Sequence, residues 1–209
     1  MNAPERLDPA RTSLLFFDML NGHVKKNDPA TKARYAPVIA CAVRLSEAAR
    51  RAGVVVMYAA AHHRPDNATS AHIATDTDNR LRPIPSGAAR ELKPVVAAGT
   101  WEAQVIDELK PQPQDYMIPK FRWSAFHQTY LDLALRNRNI DTLLISGGST
   151  DVGVASTAYA GRDLDYNLVV VGDACTSPEE DNHAQFMRRV FPRMARVRTT
   201  EEVLRTLTA

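Results

Sequence analysis

Thr142-Leu143-Leu144-Ile145-Ser146-Gly147-Gly148-Ser149-Thr150-Asp151-Val152-Gly153-Val154 is the stretch that decides how this chain is built. Residues 142–146 carry no charge and show no polar alternation, the pattern of a strand buried on both faces. Gly147-Gly148 is a tight exit from that strand. Asp151 or Thr150 then offers a cap for a helix running to about Asp165. A buried strand, a glycine turn and a capped helix form half of a β–α–β unit, and such units build parallel sheets.

The same alternation continues in both directions. Upstream, residues 13–17 are an apolar strand ending at Asp18. Residues 31–52 follow as a helix, with Val38, Ala42, Leu45 and Ala49 at helical spacing and Gly53 as its stop. Residues 54–60 are a second, valine-rich strand. Residues 61–98 break the rhythm: they hold His62, His63, His72 and four prolines, and read as an excursion from the sheet with little regular structure. Residues 100–109 read as a helix with Trp101, Val105 and Leu109 on one face, and residues 116–119 as a short strand leading to Lys120. Residues 124–137 read as a helix turning Phe126, Tyr130, Leu133 and Ala134 inward.

Downstream of the glycine turn come a strand at residues 168–171, a helix at 180–191 and a short strand at 196–198. Thr199 and Glu202 then have capping-box spacing for a final helix through Leu207. The expected fold class is therefore α/β: a Rossmann-like three-layer α/β/α arrangement with a six-stranded parallel sheet, formed by one domain over residues 1–209. Ligands of such sheets sit outside the carboxyl ends of the strands. Asp18, His62, Lys120 and residues 147–153 are thus the candidates for chemistry.

Composition bounds the rest. A chain of 209 residues with 44% apolar and 24% charged residues suits one compact core. Its 26 basic residues nearly balance 24 acidic ones, so no long-range field favours a nucleic acid partner. No apolar run approaches the roughly 20 residues a bilayer span requires. The polar N-terminus lacks the apolar stretch of a secretory signal. Two cysteines, Cys41 and Cys175, make no disulfide framework and read as free thiols in a reducing, cytoplasmic setting.

Three strand ends resemble the isochorismatase-like hydrolases, also called cysteine hydrolases. Leu14-Leu15-Phe16-Phe17-Asp18-Met19-Leu20-Asn21 resembles that family's first strand with its catalytic aspartate. Pro119-Lys120-Phe121-Arg122-Trp123-Ser124-Ala125-Phe126 resembles the catalytic lysine segment, and residues 146–154 resemble the nucleophile turn. Ser156-Thr157-Ala158 and Asp173-Ala174-Cys175 match downstream. Two positions depart: Leu20 stands where the family usually has glutamine, and Gly153 stands where it usually has the nucleophilic cysteine. Isochorismatases themselves tend to have glycine there.

The resemblance implies a catalytic group of Asp18, Lys120 and Gly153. Substrate contacts are expected from Val152, Thr150, His62, Arg122, Trp123 and Phe126, and a cis peptide at 149–150. Glycine excludes a covalent acyl-enzyme at position 153. An Asp18–Lys120 pair beside turn amides at Val152 and Gly153 suits hydrolysis of a small anionic metabolite by acid–base chemistry, with an isochorismate-like vinyl ether as first substrate.

Two alternatives stay open: an amidohydrolase of C–N bonds, with cysteine at 153 native or restored, and a catalytically inactive binding homologue. Individual residues also have plainer roles. Asp18 can cap a turn, Lys120 can snorkel to solvent, and Trp123 and Phe126 can pack. Arg64 and Arg122 are candidates for a substrate carboxylate. His62, His63, His72 and Asp66 or Asp76 match no metal-site spacing, so neither metal nor cofactor is expected. The expected partners are a small-molecule substrate and further copies of the chain, as a dimer or tetramer.

Overall fold

In a computed structural model, which describes residues 6–70 and 96–208, six strands form one sheet. They are β1 (Thr12–Phe17), β2 (Val55–Ala61), β3 (Tyr116–Lys120), β4 (Thr142–Gly148), β5 (Asn167–Thr176) and β6 (Arg196–Arg198). Every pairing is parallel and the spatial order is β3-β2-β1-β4-β5-β6. Helices α1 (Asn21–Val24), α2 (Pro29–Ala52), α3 (Leu131–Asn137), α4 (Ala155–Asp163), α5 (Glu180–Gln185) and α6 (Thr200–Thr208) connect and cover it.

Strand β1 is buried at all six positions because both its faces are covered. Leu14 and Phe16 point into a core shared with Val38, Ala42 and Leu45 of α2 and Val203 of α6. Leu15 and Phe17 point the other way, against Leu131 and Leu135 of α3 and Ala155 and Ala158 of α4. This is the three-layer α/β/α architecture that the run of apolar strands predicts. Among the described residues, no helix is long and apolar enough to cross a membrane.

Local chemistry sets the ends of the helices. Asp28 caps α2 by accepting the Thr31 N–H at 2.8 Å, Pro29 opens it, and Gly53 closes it at φ 78°. The capping box forms at α6: the Thr199 N–H donates to Glu202 Oε2 at 2.7 Å and the Glu202 N–H to Thr199 Oγ1 at 3.2 Å.

Four elements differ from expectation. Residues 100–109 are not one helix but two 3-10 turns, Trp101–Ala103 and Asp107–Leu109, and Trp101 is exposed. The segment is tied to the chain after β1. The Asn21 N–H donates to Gln104 O at 2.9 Å and the Ile106 N–H to Met19 O at 3.1 Å, bonds that a continuous helix would forbid. Helix α3 starts only at Leu131, after Gln128 takes the left-handed conformation at φ 54°, which leaves Tyr130 and Leu133 exposed.

Residues 180–191 start as α5 but finish in a wider π-type turn, Phe186–Val190. Neither Thr150 nor Asp151 caps the helix after β4. The segment Thr150–Val154 is itself a π-type turn leading into α4, and both side chains are bonded elsewhere. The cis peptide lies at Gly148–Ser149, at the bond that leaves β4, rather than at 149–150.

Candidate active site

The strand order reverses between β1 and β4, so their carboxyl ends flank the crevice where open α/β sheets hold ligands. Asp18 is the first residue past β1. Its φ of 49° is one of the left-handed conformations that aspartate tolerates. Its N–H donates to Ala59 O at 2.9 Å, and its Oδ1 accepts the Ala61 N–H at 3.1 Å.

Lys120 ends β3, on the far side of β2, and two strand spacings amount to roughly 9.6 Å. An extended lysine spans most of that distance. Strand β2 closes in Ala59, Ala60 and Ala61, so nothing larger than a methyl obstructs the path. Lys120 Nζ meets Asp18 Oδ2 at 2.7 Å, with the two side chains 7% and 13% exposed. The same ammonium lies 4.5 Å from the centroid of the Phe17 ring, a cation–π contact.

The turn after β4 forms the opposite wall. Gly147 has φ 125°, and a Cβ there would lie 2.1 Å from Phe17 O, so the approach of β4 to β1 admits glycine alone. Gly153 faces Phe17 as well: a Cβ would lie 2.0 Å from Cε1 and 2.3 Å from Cζ of the ring. The aromatic ring thus occupies the volume into which a side chain at position 153 would project.

Asp151 braces the turn from behind. It accepts the hydroxyls of Ser149 and Ser177 and the Asn182 amide. Burial acts to raise its pKa, but these hydrogen bonds outweigh it and hold the carboxyl below its usual range. The Val152 N–H, expected to face an oxyanion, donates at 3.4 Å to Ser149 O.

Between these walls lies a cleft of about 320 Å³. It brings together five of the residues expected at the site: Asp18, Lys120, Trp123, Val152 and Gly153. It also takes in His23, Lys26, Arg34 and Tyr35, which the motif comparison does not name, and Ser149 of the glycine turn. Burial holds the His23 imidazole below its ordinary pKa against the pull of Asp18, and Lys120 and Lys26 push the same way as burial. Burial likewise pushes Tyr35 up to about 12, so its phenol stays a hydrogen-bond donor. Lys26, Arg34 and Lys120 face one carboxylate among the described lining residues, Asp18, so the cleft is cationic.

Four expected contacts lie elsewhere. His62 is exposed in a neighbouring groove beside Gly99, Thr100 and Met117, because β2 continues to Ala61 and carries it past the crevice. Arg122 is exposed and its guanidinium donates to Thr69 O and Phe121 O. Thr150 is buried and bonds His183 Nδ1 at 2.9 Å, on the far side of the turn. Phe126 stacks on Tyr166 at 5.6 Å, away from the cleft.

The other candidates resolve similarly. Arg64 pairs with Asp66 on the surface. Cys175 is buried in β5, and burial pushes its thiol up to about 12, far from a nucleophile. Among the described residues no three His, Cys, Asp or Glu side chains are placed to hold a metal ion, and His72 and Asp76 lie outside those residues.

Comparisons with known proteins bear on the family and the fold. The isochorismatase domain profile matches residues 12–202. The isochorismatase family protein YecD of Escherichia coli O157:H7 is 44% identical over 93 residues, which is 44% of this chain and 50% of YecD. The chain therefore spans about half the length of that curated relative. Ureidoacrylate amidohydrolase RutB of Pseudomonas savastanoi pv. phaseolicola is 33% identical over 178 residues, covering 82% of this chain and 73% of RutB.

Among solved structures, an isochorismatase family protein from Burkholderia thailandensis has a TM-score of 0.80 at 29% identity, covering 99% of this chain and 100% of its own. N-carbamoylsarcosine amidase from Thermoplasma acidophilum has a TM-score of 0.68 at 27% identity, covering 91% and 97%. A match from β1 into α6, carried by a sheet of the same form, places the chain in the isochorismatase family of hydrolases.

Proposed function

We propose that the protein hydrolyses a small anionic metabolite without forming a covalent enzyme intermediate, using Asp18 as the acid–base group and Lys120 as its electrostatic partner. One observation carries this reading. The Asp18–Lys120 pair is built and faces the cleft, while the position opposite, Gly153, has no nucleophile and is closed over by the Phe17 ring. Water is then the attacking group. With a vinyl ether, Asp18 as general acid delivers a proton to the terminal carbon, water adds to the resulting cation and returns its proton to the aspartate, and the hemiketal so formed breaks its C–O bond, its hydroxyl proton passing to the departing alcohol oxygen to leave a ketone. The cationic lining supports an anionic substrate.

A second reading is favoured by the relatives. The substrates named for RutB and for the amidase are ureido carboxylates, so C–N hydrolysis of a small ureido acid fits the same cleft. There Asp18 would take a proton from water as general base.

The test measures turnover of isochorismate, ureidoacrylate and N-carbamoylsarcosine by wild type and by Asp18→Asn, with circular dichroism to check folding. A general acid or base contributes about 10²–10⁴-fold, so the variant should lose at least a hundredfold on whichever compound is cleaved. Equal rates for the two proteins refute the assignment. The identity of the cleaved compound separates the vinyl-ether reading from the ureido one.

A further inference from the structure

Arg11, Arg44, Arg50, Arg64 and Arg136 each pair with a carboxylate. Arg34 does not. It lies near the start of α2 and lines the cleft. Its Nη2 donates to Thr31 Oγ1 at 3.3 Å, and its Nε is buried with no hydrogen-bond partner. Among the described residues no carboxylate meets it. A buried donor left unpaired costs roughly 1–3 kcal/mol. Such groups persist where something other than the chain satisfies them.

The neighbourhood adds further donors, and the nearby Asp28 carboxylate, which acts on Arg34 through space, is itself taken up by the Thr31 N–H and hydroxyl. Tyr35, the next residue, points its hydroxyl to within 2.6 Å of where a Cβ on Gly148 would stand, at the mouth of the turn. Lys26 stands exposed on the same rim. Asp18 is the one carboxylate among the described lining residues, and Lys120 and the Ala61 N–H already engage its two oxygens. A planar guanidinium that meets no carboxylate among the described residues and lies 5.5 Å over the Tyr35 ring, in a cleft whose own acid is committed, is the donor arrangement that receives a carboxylate on two parallel N–H bonds.

We propose that Arg34 binds a carboxylate of the substrate and so selects for small carboxylic acids. This rests on the cleft being the substrate site, as in the preceding proposal. The hydrolysed bond would lie at the other end of the molecule, against Asp18. A cleft of about 320 Å³ restricts the substrate to a small metabolite.

Calorimetric binding of acetate, acrylate and ureidoacetate, each against its carboxamide, tests this with wild type, Arg34→Met, Arg34→Lys and Asp18→Asn. For at least one acid, wild type should bind the carboxylate at least tenfold more tightly than the amide. Arg34→Met should abolish that preference and leave amide binding unchanged. Arg34→Lys should restore part of it, since it keeps the charge and loses the fork. A melting temperature for Arg34→Met equal to or above that of wild type shows that the fold is intact.

Unchanged carboxylate affinity in Arg34→Met overturns the proposal, as does a wild type that shows no carboxylate preference. Asp18→Asn separates the two proposals. If it turns over substrate like wild type while the Arg34 effect persists, the catalytic role of Asp18 fails and the carboxylate site stands.

Discussion

An alanine at position 153 would place its Cβ 2.0, 2.3 and 2.9 Å from three carbons of the Phe17 ring. Carbon atoms in contact sit about 3.5–4.0 Å apart, so the nearest overlap is roughly 1.5 Å. The Phe17 side chain is 1% exposed, and Lys120 covers its face at 4.5 Å. Retreat of the ring therefore breaks the ammonium contact. Overpacking of a tight core costs about 1–3 kcal/mol, and a desolvated cation–π contact adds about 0.5–2 kcal/mol. Gly153→Ala should thus destabilise the protein by about 2–3 kcal/mol, or about 4–12 °C in melting temperature for a domain of this size.

Urea and thermal unfolding of wild type, Gly153→Ala, Phe17→Val and the double variant measure it. Removing the ring opens the volume the methyl needs. The double variant should therefore be less destabilised than the sum of the single ones by at least about 1 kcal/mol. A Gly153→Ala protein within about 0.5 kcal/mol of wild type, or additive single effects, would refute the claim that ring and glycine are a matched pair. The same reasoning predicts that Gly153→Cys yields an iodoacetamide-reactive thiol only when combined with Phe17→Val.

Other features lead to further expectations. Arg50 ties α2 to the start of β3 by donating to Asp115 Oδ2 at 2.7 Å, with Asp115 4% exposed. Asp115→Ala should cost about 2 kcal/mol in urea unfolding, below the ~3–5 kcal/mol of a fully buried pair because Arg50 keeps one face in water; a loss under 0.5 kcal/mol would contradict this. Cys175 should resist iodoacetamide in the native protein while the partly exposed Cys41 reacts, so mass spectrometry finding both alkylated before unfolding would count against the burial described. Burial keeps the His23 and His63 imidazoles below their ordinary pKa, whereas the unfolded chain takes up those protons near pH 6.5. Their contribution to stability is present above about pH 6.5 and lost as the pH falls, so melting temperature should decline from pH 7 to pH 5. Replacing both by glutamine should flatten the decline, and an unchanged slope would show that other groups cause it.

Much of this protein could be read from its residues alone. The strands at residues 13–17, 54–60 and 142–146 were legible because a parallel strand covered on both faces is a continuous apolar run, a local property. The Gly53 stop and the Thr199/Glu202 box were legible because they depend on residues a few positions apart, whereas the start of α2 at Asp28 and Pro29 lies two residues ahead of the expected start at Thr31. The strand-end rule marked Asp18 and Lys120 as candidates, and the resemblance to the isochorismatase-like hydrolases implied that they act as a pair.

Tertiary structure decided what depends on residues distant along the chain. Residues 100–109 carry a helical pattern, yet hydrogen bonds to Met19 and Asn21 claim their backbone. His62 and Arg122 flank the right strand ends and still turn out of the cleft, because one further residue of strand, or hydrogen bonds to the Thr69 and Phe121 carbonyls, redirect a side chain. The Phe17 ring lies against Gly153 only because β1 and β4 are neighbours. Among the described residues Arg34 meets no carboxylate, because folding sets it against Thr31 Oγ1 and the Tyr35 ring instead. Periodicity reports which face of an element is buried, but what meets that face is set by contacts spanning more than a hundred residues, and these exist only once the sheet has closed.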